Sequence, residues 1–243
     1  MNKLYIVIPA YNEEANIRTV TNEWHKVAAK TGADSRLVIV DDGSRDNTYN
    51  ILAAMKKELP QLTVLSKPNG GHGAAVLYGY RYALEKGADY VFQTDSDGQT
   101  VPDEFWQFWE KRQEYTALIG RRSHRKDGFS RVFVTKVLRL VLRIVFRLDI
   151  PDANTPFRLL KAEALSKYLP LIPPDFNLSN IMLSVCLARY KEKTAFIPIT
   201  FKPRQGGINS INFKKIVKIG VKAVNDFSRI KKEMDVNQKE NHK

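Results

Sequence analysis

The 243-residue chain has one cysteine, Cys186. A lone thiol excludes an internal disulfide framework and fits a reducing cytoplasm. Its apolar setting, Ile181 to Leu187, reads as a buried structural thiol rather than a nucleophile. Long hydrophobic runs are also lacking. No uncharged run approaches the length that spans a bilayer, and the apolar part of Met1–Pro9 is too short for a secretory leader. Contact with a membrane would mean lying on it or being held there by a partner. His72 has no second His or Cys at metal-ligand spacing, and no internal repeat or low-complexity linker is present. Acidic residues are in deficit: 26 Asp and Glu against 39 Lys and Arg leave a net charge of +13. Such a balance favours an anionic partner, whether nucleic acid, a phospholipid surface or a phosphorylated substrate. Nucleic acid is the weakest of these, because no base-reading module is recognisable.

The first half alternates strand and helix signals. Leu4–Ile8, Leu37–Val40, Leu62–Leu65 and Tyr90–Thr94 are short β-branched runs. Between them, Glu13–Lys30, Asn47–Leu59 and Ala74–Lys86 carry apolar residues at helical spacing. Asp46 or Asn47 can cap the second helix and Gly87 can end the third, while Asp103 and Glu104 suit the start of a helix over Phe105–Glu114. Thr116–Ile119 reads as a further strand, followed by a basic loop from Arg121 to Gly128. This alternation predicts an α/β fold, with a mostly parallel sheet flanked by helices. Open sheets of that kind bind ligands at the carboxyl ends of their strands. The polar clusters Pro9–Glu13, Asp41–Ser44 and Asp95–Asp97 all fall there.

Asp95-Ser96-Asp97-Gly98-Gln99 is the most informative of these clusters. Side chains at i and i+2 of an extended segment point the same way, so Asp95 and Asp97 can converge on one ion. Oxygen-only ligands select a hard divalent cation, Mg²⁺ or Mn²⁺, which keeps positions open for phosphate oxygens. In isolation the pattern is equally that of a solvated turn. Asp41-Asp42-Gly43-Ser44 can offer a carboxylate to a base N–H or a ribose hydroxyl, and can equally be a turn with a helix cap. Asn69-Gly70-Gly71-His72-Gly73 is a glycine-rich turn entering a helix, where backbone can approach a phosphate closely. His72 itself reads as a loop residue.

In this order and spacing the motifs Pro9-Ala10-Tyr11-Asn12-Glu13-Glu14, Asp41-Asp42-Gly43-Ser44, Asn69-Gly70-Gly71-His72-Gly73 and Asp95-Ser96-Asp97-Gly98-Gln99 resemble the inverting family 2 glycosyltransferases of GT-A fold. The resemblance covers residues 3–122. Further on, Asp152-Ala153-Asn154-Thr155-Pro156-Phe157-Arg158 looks like a segment of the polyprenyl-phosphate glycosyltransferases, the group containing dolichyl-phosphate mannose synthase. Arg204-Gln205-Gly206-Gly207-Ile208-Asn209-Ser210 is similar to that group's Arg-x-x-Gly-x-Ser motif. The chain departs from the group at Thr155-Pro156, where Ser-Gly is usual, and at Ile208, where Glu is usual.

The resemblance implies that Pro9, Tyr11, Glu13 and Asp41 or Asp42 frame the base and ribose, with Gly73 in the donor loop. Asp95 would contact ribose and metal, and Asp97 and Gln99 would complete the metal site. Arg122, Arg131 and Arg204 would face phosphate, and Asp152, Arg158 and Ser210 would belong to the acceptor side. A lipid-phosphate acceptor is already an anionic nucleophile and needs no strong base. A saccharide hydroxyl would need one, and only Asp152 offers itself. The expected organisation is a nucleotide-sugar half at 1–122, an acceptor half at 123–230 and a disordered tail at 231–243. A basic nucleic-acid binder and an inactive scaffold are the alternatives from other classes.

Two segments are both cationic and apolar. Val132–Leu148 carries Lys136, Arg139, Arg143 and Arg147 near helical spacing among apolar residues, and a helix across Ser130–Leu148 would run roughly 28 Å. Asn212–Phe227 places Lys214, Lys218 and Lys222 on one stripe. Such helices suit an anionic membrane surface, with the protein peripheral to the inner face of the membrane. They could also dock on a small membrane-anchoring protein, or be core-facing helices with solvated charges.

Overall fold

The computed structural model describes residues 2–122, 129–202 and 226–232, with 129–136 described by backbone alone. Seven strands form one sheet in the order β3-β2-β1-β4-β6-β5-β7. They are β1 (Leu4–Ala10), β2 (Arg36–Asp41), β3 (Leu62–Ser66), β4 (Tyr90–Gln93), β5 (Ala117–Arg122), β6 (Arg158–Lys161) and β7 (Thr194–Ile199). All neighbouring pairs are parallel except those of β6, which runs antiparallel to both β4 and β5.

Strand alternation divides the core into two layers. Tyr5, Val7, Val38, Val40 and Val91 face one side of the sheet. Leu4, Ile6, Ile8, Leu37, Ile39 and Phe92 face the other. This is the period-2 signature of strands buried on both faces. Helices α1 (Ile17–Thr31), α2 (Thr48–Met55) and α4 (Phe105–Glu110) cover the second face. There Trp24, Phe92, Phe105, Phe108 and Phe157 pack edge-on, Phe92 and Phe157 with centroids 4.7 Å apart. The first face is covered by α3 (His72–Glu85), α5 (Phe129–Phe146), α6 (Ala162–Tyr168) and α7 (Ser179–Arg189).

Several boundaries differ from the sequence reading. Helix α1 begins at Ile17 rather than Glu13, because the N–H groups of Asn16 and Ile17 both donate to Glu13 O and make residues 13–16 a turn. Helix α4 stops at Glu110, where the Arg112 guanidinium donates to the Trp109 carbonyl at 2.7 Å. Gly87 ends α3 as expected: its N–H donates to Leu84 O and that of Ala88 to Ala83 O. Asp46 serves the start of α2 by accepting from Thr48 N–H at 3.0 Å.

Helix α5 has three faces. Leu142 and Phe146 are buried in the core, Arg139 and Arg143 both pair with Asp149, and Val137, Leu140 and Ile144 are exposed at 38%, 57% and 70%. No helix among the described residues is long and apolar enough to cross a membrane. Of the second cationic segment, 212–225 lies outside the described residues. Residues 226–232 are helical, and Phe227 packs on Phe146 and Phe176. Lys231 and Lys232 thus belong to a helix rather than to a tail, and 233–243 lies outside the described residues.

Candidate active site

The carboxyl ends of β1, β2 and β4 open into a cleft of about 450 Å³. Pro9, Tyr11, Glu13, Asp42, Asp95 and Asp97 line it, so six of the expected residues come together. Tyr11 stands 41% exposed at the cleft. The segment behind it is fastened to the loop after β2. Asn12 N–H donates to Ser44 Oγ, Arg45 N–H to Asn12 Oδ1, and Glu13 N–H to Thr48 Oγ1. Burial and these hydrogen bonds leave little freedom at the base of the site.

Asp41 and Asp42 separate in role. Asp41 is 2% exposed, accepts from Ser44 N–H and Ser66 Oγ–H, and does not line the cleft. Asp42 clamps the glycine-rich loop. Its Oδ1 accepts from Lys67 Nζ at 2.5 Å and Gly70 N–H at 3.0 Å, and its Oδ2 accepts from Gly71 N–H at 2.8 Å. A carboxylate accepting two backbone N–H groups and an ammonium is well compensated for its burial. Gly73 does not line the cleft either. A Cβ there would lie 2.2 Å from the Phe176 carbonyl oxygen, so the loop needs glycine to pack against residues 176–177.

The two carboxylates of Asp95-Ser96-Asp97 both reach the cleft. Asp95 Oδ1 lies 2.9 Å from His72 Nε2, and Asp97 Oδ1 accepts from Gln99 N–H at 3.1 Å. Among the described residues no group of three or more His, Cys, Asp or Glu side chains is placed to hold an ion. Two carboxylates fit Mg²⁺ or Mn²⁺, which are bound by one or two carboxylates with phosphate oxygens and water supplying the rest. Gln99 stands apart: it is 3% exposed, and its Nε2–H donates to Lys202 O at 2.7 Å. It ties the loop after β4 to the chain leaving β7.

Of the remaining expected residues, Arg122 at the end of β5 grips Asp152. Both are largely buried, with side chains 13% and 8% exposed. Arg122 also lies over the Phe201 ring at 5.3 Å. Arg158 is not brought to any cleft. It opens β6, is 0% exposed, and its guanidinium donates to the carbonyls of Ala153, Thr155 and Asn180. A fully buried guanidinium satisfied by backbone oxygens is a brace, and burial lowers its pKa against the raising influence of Tyr80, Asp152 and Asp95. It therefore joins the segment after Asp152 to the start of α7 instead of touching an acceptor. Arg131 lies on α5, in the part described by backbone alone. Arg204 and Ser210 lie outside the described residues.

From the sequence His72 reads as a loop residue only, and Lys67 is not singled out. The signal for His72 was its place between two glycines, which leave one side chain facing the cleft. Lys67 gave no signal, because its partner Asp42 lies 25 residues away.

The sequence profile of a family described as Glycosyl transferase family 2 matches residues 5–169. Undecaprenyl-phosphate 4-deoxy-4-formamido-L-arabinose transferase of Shewanella sediminis is 24% identical over 217 residues, 88% of this chain and 63% of its own. UDP-N-acetylglucosamine–dolichyl-phosphate N-acetylglucosaminyltransferase of Methanococcus voltae is 35% identical over 114 residues, 42% of this chain and 43% of its own. The chain thus spans less than two thirds of the length of these curated relatives. Glucosyl-3-phosphoglycerate synthase of Mycobacterium tuberculosis, crystallised with Mn²⁺, UDP and phosphoglyceric acid, superposes with a TM-score of 0.66 at 17% identity, over 90% of this chain and 75% of that one. The shared architecture is the GT-A fold.

Proposed function

We propose, from the premise that this chain belongs to glycosyl transferase family 2, that it moves a sugar from a nucleotide-diphosphate sugar to a polyprenyl phosphate with inversion. The observation that carries the acceptor assignment is the state of Asp152. It is the one carboxylate that the sequence offered as a base for a hydroxyl acceptor, and a two-pronged ion pair with Arg122 engages both its oxygens. A carboxylate held in that way is a poor proton acceptor. A phosphate monoester has already lost its proton near pH 7. One of its oxygens can attack the anomeric carbon directly as the bond to the nucleoside diphosphate breaks.

The residues divide the work. Tyr11, exposed at the cleft, offers a ring face to the base, and Glu13 offers a carboxylate to the base or ribose. Asp42 holds the glycine-rich loop so that backbone can approach the diphosphate. Asp95 and Asp97 would hold Mg²⁺ or Mn²⁺, which neutralises charge developing on the leaving diphosphate. Arg122 keeps its Nε/Nη2 edge on Asp152 and would offer the Nη1 side of its planar fork to phosphate. Arg131, Arg204 and Ser210 enter on resemblance alone, for donor and acceptor phosphate.

The membrane reading is supported by α5. Its exposed stripe of Val137, Leu140 and Ile144 runs beside Arg139 and Arg143. Apolar residues flanked by cations suit an anionic leaflet, and this supports a peripheral position on the inner face. A small membrane-anchoring protein is the other occupant that this stripe suits.

The test is transfer of labelled sugar into the organic phase. Purified protein receives a panel of UDP- and GDP-sugars, polyprenyl phosphate in anionic liposomes, and Mg²⁺ or Mn²⁺, with Asp97→Asn as control. Lipid-phase label from one donor, abolished in the control, is the expected result. Label on a soluble saccharide with none on lipid phosphate would overturn the acceptor assignment.

A further inference from the structure

His72 is set by the backbone on both sides of it. Before it, Gly71 has φ of +90°, a conformation that favours glycine, and its N–H is held by Asp42 Oδ2. After it, Gly73 packs against the Phe176 carbonyl with no room for a Cβ. Between these two fixed points His72 opens α3, and its Nε2 lies 2.9 Å from Asp95 Oδ1. A carboxylate only accepts, so Nε2 carries the hydrogen. About half of the side chain is exposed, at 49%, so the imidazole does not fill the core.

We infer that His72 is a positioning residue for the donor site, fixing the Asp95 carboxylate so that Oδ2 is the oxygen presented to the divalent cation and the nucleotide. The inference rests on the donor-site reading above and adds a residue to it. Outer partners that orient a ligating group are worth about 10–100-fold in metal affinity when removed. Gly71-His72-Gly73 is then a device for aiming an N–H donor. The second glycine serves the packing of the loop.

Two amides separate this role from a merely structural one. A glutamine amide nitrogen falls where imidazole Nε2 lies, whereas an asparagine amide nitrogen falls where Nδ1 lies. The experiment measures Mn²⁺ affinity by calorimetry, with UDP and separately with GDP present, for wild type, His72→Gln, His72→Asn and His72→Ala. Thermal melts check that all four are folded. The expected result is near wild-type affinity for His72→Gln and a loss of about 10–100-fold for His72→Asn and His72→Ala. Equal affinities in all four proteins would overturn the inference while leaving the donor site intact. His72→Gln as weak as His72→Ala would overturn it too, since the N–H donor would not then be what matters. A wild type that binds no Mn²⁺ with either nucleotide would remove the donor-site reading itself, and His72's role with it.

Discussion

Arg122 and Asp152 meet edge to edge, with Nε 2.9 Å from Oδ2 and Nη2 2.7 Å from Oδ1, across 30 residues of chain. The Arg122 backbone N–H adds a third, longer contact to Oδ2 at 3.3 Å. Removing one partner of a buried pair leaves the other charge uncompensated, at a cost of about 3 kcal/mol. Asp152→Asn should therefore lower the unfolding free energy by that order, read as a lower urea midpoint. Loss of a general base lowers the rate about 10²–10⁴-fold. Because Asp152 acts here as a clamp, saturating lipid phosphate should restore kcat in Asp152→Asn to within about tenfold of wild type, well short of a general-base loss. A kcat lower by a thousandfold at saturation would make Asp152 the base.

Gly73→Ala should fold poorly and bind donor weakly. Its new methyl meets the Phe176 backbone, which cannot swing aside as a side chain can. Overpacking of this kind costs about 1–3 kcal/mol. Relief by moving the loop would detach Gly70 and Gly71 from Asp42. Nucleotide calorimetry and a urea titration should show both losses together.

Leu140→Ser with Ile144→Ser should weaken binding to anionic vesicles and leave stability within about 0.5 kcal/mol. Both side chains are mostly exposed, so the core loses nothing. Sedimentation with vesicles of mixed anionic and neutral lipid checks the first part, and urea unfolding the second. Equal vesicle binding by the double variant would remove α5 as the membrane face.

Cys186 should report on unfolding. Burial pushes its thiol from an ordinary value of 9.0 up to about 12. The folded state therefore holds the proton more tightly than the unfolded one. That contribution is fully present below the unfolded value and is lost as pH rises through the folded one. At pH 8 an alkylating reagent should leave the folded protein unmodified and label it fully in denaturing urea, read by mass spectrometry.

The parallel half of the fold was legible because its strands are apolar on both faces. Leu4–Ile8 and Leu37–Val40 need no partner to be recognised. By contrast, β6 is four residues, Arg158-Leu159-Leu160-Lys161, with a cation at each end. It is a strand only because β4 and β5 offer edges on both sides. Arg158 was set on the acceptor side by resemblance, and nothing local reveals that three carbonyls from two segments surround it. Asp95, Asp97 and Asp42 were readable as cleft residues because they follow strand ends. Their separate tasks were not, since the partners Lys67 and His72 come from a neighbouring loop. Gln99 was assigned to the ion by its motif, whereas its amide belongs to the backbone at Lys202.

The reversed strand β6 has a consequence for biosynthesis. As the chain leaves the ribosome, β4 and β5 are complete long before β6 exists, and their facing edges stay bare. At roughly 5–20 residues per second that interval lasts a few seconds. Naked edges are sites of mispairing between chains. The protein is thus most prone to aggregation in the window before Arg158–Lys161 emerges, and nascent chains stalled in that window should be the ones chaperones hold.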